Sequence, residues 1–372
     1  MLSYQHVAVD LLKDAVRIDV HAGSQVSPIW VGDGIAGSAA AILDGQGVGR
    51  RIVVSSPTIW RHHGDRLVRA LGPLEPILVP DGERFKNLQT VSRVYEALIR
   101  AGADRASAVV ALGGGVIGDT AGFAAATFLR GIALVQIPTT LLAQVDSAIG
   151  GKVGVNHALG KNLIGAFHQP AAVLVDPQLL GTLPRREFRS GLYEVVKYGM
   201  IASRALFDRV ARDSKALFAR SPDALLPAII ESCRIKAEVV SQDERESGLR
   251  RILNYGHTVG HALESVTKYR RFRHGEAIAY GMLAAADLAV ARGALADVER
   301  QALAKVIARL GPLPPVADLP IGDVLQVIRR DKKVVAGKLH FVIAIQIGAT
   351  LTLDDVTEDE LTGVLERLGL SR

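Results

Sequence analysis

The feature that most constrains the fold is a series of short apolar runs separated by stretches of helical periodicity. Arg51-Ile52-Val53-Val54-Ser55, Pro76-Ile77-Leu78-Val79, Ala108-Val109-Val110-Ala111-Leu112, Ala133-Leu134-Val135-Gln136-Ile137 and Ala172-Val173-Leu174-Val175 are nearly continuous in hydrophobicity. A strand apolar on both faces belongs inside a covered sheet, and amphipathic helices between such strands imply parallel crossovers. Val16 to Val20 and Pro28 to Val31 read as an opening hairpin. From about Arg185 to Arg330 the period becomes mainly helical, with a late hairpin candidate at Leu339 to Ile345 and Leu351-Thr352-Leu353. A chain of 372 residues favours two domains. The boundary is expected near Leu183-Pro184, where proline precedes the first long helix. The expected architecture is an α/β nucleotide-binding domain over 1–183 and a mainly α-helical domain over 184–372.

Composition narrows the function. Hydrophobic residues make up 49% and charged residues 22%, an ordinary globular balance. No apolar run reaches the roughly 18–20 residues that cross a bilayer, and Met1-Leu2-Ser3-Tyr4-Gln5 lacks the pattern of a secretory signal. Cys233 is the only cysteine, which excludes an intramolecular disulfide and a thiolate metal cage. A soluble cytoplasmic protein is expected. The net charge of +6 is scattered, its longest cluster being Tyr269 to His274, and aromatics are only 5%. Nucleic acid is therefore not the expected partner, whereas a small anion suits the positive balance.

Gly113-Gly114-Gly115-Val116-Ile117-Gly118-Asp119 follows a predicted strand and opens a helix, satisfying GxGxxG. Such glycines let backbone N–H groups approach a pyrophosphate at a helix N-terminus. The run lies past residue 110, and the next strand ends in Gln136-Ile137-Pro138 without an acidic ribose ligand. A Rossmann-like fold without the true Rossmann fingerprint follows. Asp81-Gly82-Glu83-Arg84-Phe85-Lys86 reads as a solvated turn or, through Glu83 and Lys86, as a nucleotide contact. Thr139 and Thr140 offer strand-end hydroxyls or a helix cap. Asp146 to Lys152 and Gly160 to Gly165, with glycines around Lys152 and Lys161, suggest backbone folded over an anion.

The second half carries a histidine pair, His257 and His261, one helical turn apart. His274-Gly275-Glu276 follows. Glu194 and Lys197 lie one turn apart among Leu192, Val195 and Val196, which makes a solvated ion pair less comfortable than a buried one. Glu194, His257 and His274 would form a two-histidine, one-carboxylate zinc site with open positions. The rival is His257 with His261 as an HxxxH pair. Lys236, Arg250, Asn254 and Lys332-Lys333 are surface charges singly, or together cations for an anionic substrate.

Seven ordered runs, GGGVIGD, RGIALVQIPTTLLAQVDSAIGGK, GKNLIGAFHQP, EVVKYGM, LNYGHTVGHALE, HGEAIAYGM and RDKK, resemble the 3-dehydroquinate synthase family of sugar phosphate cyclases over almost the whole chain. The resemblance implies an NAD+-binding domain, a helical metal-binding domain with zinc or cobalt, and a homodimer. It implies Glu194, His257 and His274 as metal ligands. It implies NAD+ contacts at Asp81, Gly82, Glu83, Arg84, Phe85, Lys86, Gly114, Gly115, Val116, Ile117, Gly118, Asp119, Thr139, Thr140, Lys152, Lys161, Leu179, Leu180, Gly181 and Thr182.

The implied substrate is a seven-carbon keto-sugar acid phosphate. The implied chemistry is transient oxidation by NAD+, loss of phosphate, re-reduction, ring opening and intramolecular aldol closure. Lys152, Asn162, His261 and Lys333 then face phosphate, with Arg130 from a partner subunit, and Arg250 faces the carboxylate. Asp146, Lys197, Lys236 and Asn254 face the hydroxyls and a metal-bound water. In one departure, Ser56 stands where the family often has an aspartate touching the adenosine ribose. Related alternatives are cyclases making valiolone, inosose or aminodehydroquinate precursors. A metal-dependent alcohol or glycerol dehydrogenase is more distant, since those enzymes use an aspartate and further histidines as ligands.

Overall fold

A computed structural model describes residues 15–330, 334–335 and 338–372. Its contacts divide into two compact units, one of 1–184 with 225–245, the other of 185–224 with 246–372.

The first unit is built on a seven-stranded sheet in the order β1-β2-β9-β6-β5-β3-β4. Its strands are β1 (Val16–Ala22), β2 (Gln25–Val31), β3 (Arg51–Ser55), β4 (Ile77–Leu78), β5 (Ala108–Gly113), β6 (Ala133–Pro138) and β9 (Ala172–Val175). The opening hairpin β1–β2 is antiparallel and the other pairings are parallel. The doubly apolar strands serve two cores. Ala108, Val110 and Leu112 of β5 face one core, which includes Ile42 and Leu43 of helix α1 (Ala39–Gly45) and Leu67 of α2 (Pro57–Leu71). Val109 and Ala111 face the other, with α3 (Leu88–Arg100) and α4 (Gly115–Thr127). Period-2 alternation thus distributes one strand between two layers.

Part of that second layer is a hairpin absent from the sequence reading. The runs Asp146 to Lys152 and Gly160 to Gly165, read as backbone folded over an anion, lead into β7 (Lys152–His157) and form most of β8 (Gly160–Phe167). Its buried face, Val153 and Val155 with Ile164 and Ala166, packs on the α4 side of the sheet. Glycines at 154 and 165 hid this strand pattern. They sit opposite each other, where an added Cβ on Gly154 would meet Ile164 O at 2.6 Å. The helix α7 (Pro222–Gln242) contributes Leu225 onward to this unit, where the Cys233 thiol donates to Gln144 O.

The second unit carries α5 (Arg185–Ala202), α6 (Arg204–Phe218), α8 (His257–Val266), α9 (His274–Ala291), α10 (Asp297–Leu310), α11 (Ile321–Arg329) and α12 (Glu358–Arg367). Short pieces β10 (Val334–Val335) and β11 (Lys338–Leu339) pair with each other. The late hairpin forms as β12 (Phe341–Gln346) and β13 (Ala349–Leu353). Helix α9 is apolar on nearly every side, with Ala277, Ile278, Met282, Ala285 and Leu288 buried, as a central helix must be. Its approach to α8 is set by glycine. A Cβ on Gly281 would lie 1.7 Å from Gly256 O, and one on Gly275 would lie 1.9 Å from Ser190 O in α5.

Candidate active site

In the first unit the polar groups collect after the carboxyl ends of β5 and β6, where parallel sheets offer ligand crevices. Gly113 pairs with Pro138 in register, and Thr139 N donates to Gly113 O at 3.0 Å, so the two loops run side by side. Gly114 caps α4, whose first intrahelical donor here is Gly118 N, bonded to Gly114 O at 3.0 Å. The amides of Gly115, Val116 and Ile117 are then the first-turn donors that an anion can accept from. Thr140 takes the capping part of its two readings, accepting from Ala143 N at 3.1 Å. Gly118 is pressed against Gln136, which donates to Gly118 O at 3.2 Å.

The turn from Asp81 to Lys86 is tied to that helix. Asp81 and Gly82 are exposed, but Lys86 is only 5% exposed. Its ammonium donates to Asp119 Oδ2 at 2.5 Å and to Asn162 Oδ1 at 2.6 Å. Burial works against this charge, yet the Asp119 and Glu83 carboxylates hold the Lys86 pKa above the usual lysine range. Lys161 lies 3.6 Å from Glu83 Oε1. Arg84 covers the Phe85 ring at 4.6 Å. The solvated-turn reading therefore fails for Lys86, which joins two implied cofactor segments to Asn162, the implied phosphate ligand. Lys152 opens β7 and is exposed. Arg130 is exposed with φ 67°.

Asp146 occupies a π-helical turn, Ala143–Ser147, a distortion that re-aims side chains. Lys236 of α7 donates to its Oδ1 at 2.6 Å and to its backbone oxygen at 2.7 Å. Leu179 and Leu180 are buried, Gly181 has open space beside it, and Thr182 Oγ1 meets His63 Nε2 at 2.9 Å. Ser56 is buried and caps α2, accepting from Ile59 N at 3.4 Å.

The second unit assembles the acid and imidazole groups. Glu194 and Lys197, on α5, are essentially unexposed, with Lys197 Nζ 2.5 Å from Glu194 Oε2. The other carboxylate oxygen lies 3.5 Å from His274 Nε2 and 3.9 Å from His257 Nε2. Nitrogens of His257, His261 and His274 all approach within 4.8 Å of one another. The opposite edges of two rings are engaged. His257 Nδ1 lies 3.1 Å from Tyr255 O, and His274 Nδ1 lies 3.1 Å from Glu264 Oε2. Each acceptor holds the proton on Nδ1 and leaves Nε2 as the donor atom.

Two carboxylates act on the His274 ring. Burial pulls the His274 imidazole down, but Glu264 and Glu194 prevail and raise its pKa to about 10. Four ligands about 2.1 Å from one tetrahedral ion stand about 3.4 Å apart. The separations from Glu194 fit that spacing, and the donor chemistry suits a divalent metal. All three histidines remain within reach, so both ligand sets named from the sequence come together.

Other expected residues divide by environment. Arg250 is 2% exposed and Lys236 5%, so neither is a surface charge. Asn254 donates to Glu246 Oε1, a partner the sequence reading missed. Glu264 was missed too, although it stands seven residues after His257 in the same helix and so on the same face. Glu276, adjacent to His274 in the sequence cluster, turns away from the site. Arg186 and Arg189 of α5 bind its carboxylate at 2.7–2.9 Å. Asp331, Lys332 and Lys333 lie outside the described residues.

The chain is similar to known proteins along most of its length. Residues 76–190 match the 3-dehydroquinate synthase N-terminal family and residues 191–334 the C-terminal one. The 3-dehydroquinate synthase of Gloeobacter violaceus is 51% identical over 329 residues, covering 86% of this chain and 90% of that one. A 2-epi-5-epi-valiolone synthase from Streptomyces hygroscopicus, solved with NAD+ and Zn2+ bound, superposes with TM-score 0.86 at 28% identity, covering 94% of this chain and 98% of its own. A 2-deoxy-scyllo-inosose synthase complexed with carbaglucose-6-phosphate, NAD+ and Co2+ gives 0.84 at 27%, with 95% and 99% covered. The chain belongs to the 3-dehydroquinate synthase family.

Proposed function

We propose that the chain converts 3-deoxy-D-arabino-heptulosonate 7-phosphate to 3-dehydroquinate and phosphate, as a shikimate-pathway enzyme using NAD+ and one zinc or cobalt ion. The observation that carries the reading is the Glu194 carboxylate facing two Nε2 atoms whose imidazoles are oriented from behind by Tyr255 O and Glu264. That arrangement favours Glu194, His257 and His274 as the metal set and leaves His261 as a proton-handling group beside it. Bound NAD+ supplies a hydride acceptor that returns the hydride later, and the metal supplies a Lewis acid for the neighbouring hydroxyls.

The chain's own residues bind and orient. The α4 amides with Glu83, Lys86, Asp119, Thr139, Thr140, Lys161 and the 179–182 turn take the cofactor. Lys152 and Asn162 take the phosphate, with His261, and Arg250 takes the carboxylate by its fork of donors. Asp146, Lys197, Lys236 and Asn254 hold hydroxyls. Two of these pairs, Lys236–Asp146 and Lys197–Glu194, are already in ion-pair contact, so little reorganisation precedes binding. A homodimer in which Arg130 reaches the partner's phosphate, and a cytoplasmic location, belong to the same proposal. Exposed Leu163 and Phe167 on β8 support the first, and the single, buried cysteine supports the second.

A cyclase of secondary metabolism is the second reading, favoured by the two structural neighbours at 27–28% identity. The 51% identity to a 3-dehydroquinate synthase and the buried Arg250 favour a carboxylate-bearing substrate. The test is phosphate release from the heptulosonate phosphate with catalytic NAD+, before and after chelation. We expect turnover that falls on metal removal and returns with zinc or cobalt. Net NADH release from an alcohol without phosphate release would overturn the assignment.

A further inference from the structure

Asn156 has no place in the proposed chemistry, yet it touches both halves of the first unit's polar network. It lies where the β7–β8 ladder breaks. Val155 pairs with Ile164 and His157 with Gly160, so one residue on β7 faces three on β8. Such a bulge leaves backbone groups without ladder partners. The Asn156 side chain fills the gap, its Oδ1 accepting from Asn162 N at 3.0 Å. That bond holds Asn162 at φ 53°, a left-handed conformation that asparagine tolerates better than most residues.

The other end of the same amide faces the cofactor turn. Asn156 Nδ2 donates to Glu83 Oε1 at 2.8 Å, and Asn156 N donates to Lys86 O at 2.8 Å. Lys86 Nζ in turn reaches Asn162 Oδ1 at 2.6 Å. An ammonium only donates, so the Asn162 oxygen must be the atom turned inward. The other end of its amide is then an NH2, the group that can donate to a phosphate oxygen.

We propose that Asn156 is a positioning residue that couples the cofactor turn, through Glu83, to the phosphate-binding amide of Asn162. This rests on the proposed function, which assigns Glu83 to NAD+ and Asn162 to the substrate phosphate. Removing Asn162 weakens chiefly the substrate, with the cofactor touched only through Lys86. Removing Asn156 weakens both ligands, because one amide orients both groups.

The test compares Asn156→Ala, Asn162→Ala and the double variant, with Asn156→Asp as a partial restoration. NAD+ affinity is read by calorimetry on substrate-free protein, and substrate KM and kcat by phosphate release. Loss of one hydrogen bond predicts about a tenfold effect. Asn156→Ala is expected to raise both the NAD+ Kd and the KM by about that factor, with kcat changing less. Asn162→Ala raises KM more than the NAD+ Kd, which shifts only through the lost Lys86 contact. The double variant has the KM of Asn162→Ala, since Asn156 acts on phosphate through Asn162. Asn156→Asp keeps the acceptor for Asn162 N and loses the donor to Glu83, so its Kd rises while its KM stays near wild type.

Additive KM effects, or an NAD+ Kd unchanged in Asn156→Ala, would overturn the proposal and leave a structural staple. If Asn156→Ala does not fold, Asn156→Asp decides: a raised KM with unchanged NAD+ affinity refutes the coupling. Wild-type protein that neither binds NAD+ nor releases phosphate refutes the proposed function instead, a failure visible before any variant is made.

Discussion

The two units build their polar groups on opposite plans. In the first, the clustered polar groups sit after strand ends and in turns, and they include the first-turn amides of α4. In the second, they are side chains on packed helices, with Glu194 and Lys197 sealed from solvent at the middle of α5 and His257 and His274 at the starts of α8 and α9. The first plan depends on where strands end, and the second on how closely helices approach. Glycine in the first unit lets helix, strand and hairpin backbones close on their neighbours, as at Gly118 and Gly154; in the second it sets an interhelical distance. The plans should therefore fail differently when disturbed.

The largest expected effect comes from the buried carboxylate. Glu194→Ala and His257→Ala should leave no stoichiometric metal by elemental analysis and lower turnover by about 10³-fold or more, the scale of losing a Lewis acid worth several kcal/mol. His261→Ala should retain metal and lose turnover. Equal metal loss in all three variants would break the comparison in favour of the HxxxH pair.

Next is Gly281→Ala, whose methyl would overlap Gly256 O. Overpacking against backbone that cannot rotate away should cost about 3 kcal/mol. The matching change in the first unit is Gly181→Ala, which meets nothing within 4 Å and should alter the melting temperature little. Similar thermal losses for both would show that the units share one tolerance after all.

Much of the first plan was legible in the sequence because it is local. The runs at 51–55, 108–112, 133–137 and 172–175 became strands, and Gly113 to Asp119 became a strand-to-helix turn. The β7–β8 hairpin was not legible, because Gly154 and Gly165 blank the alternation that marks a strand. In the second unit, residue identity was visible but partnership was not. Glu276 sits beside His274 in sequence yet pairs with Arg186 and Arg189, whereas Glu264, ten residues away, holds the His274 ring. Helical phase brings Glu264 to the face of His257 and His261, but only the crossing of α8 and α9 brings it to His274.

Glu264→Ala tests that crossing. It leaves the three proposed ligands in place, but it frees the Nδ1 edge of His274, which lies 3.1 Å from Glu264 Oε2. Second-layer carboxylates of this kind are worth about 10–100-fold in metal affinity. Competition with a chelating dye should show a loss in that range, with helix content unchanged. Affinity equal to wild type would mean that Tyr255 O and α8 suffice to orient the site.

Ser56→Ala carries the smallest effect and probes the first unit where the chain departs from its family. The hydroxyl caps α2 through a long bond to Ile59 N, so its loss should cost about 0.5–1 kcal/mol. At about 2–4 °C per kcal/mol for a unit of this size, the melting temperature should fall by a few degrees at most. Ser56 is fully buried, and its side chain is engaged with its own helix. NAD+ affinity by calorimetry should then stay within about twofold, an amount smaller than one hydrogen bond. Metal content should not change, because the second unit's cluster owes nothing to this cap. A weakened NAD+ Kd at unchanged stability would mean that Ser56 turns toward the cofactor. The first unit would then use a buried side chain as the second unit does, and the contrast between backbone-built and side-chain-built sites would narrow to the α4 amides alone.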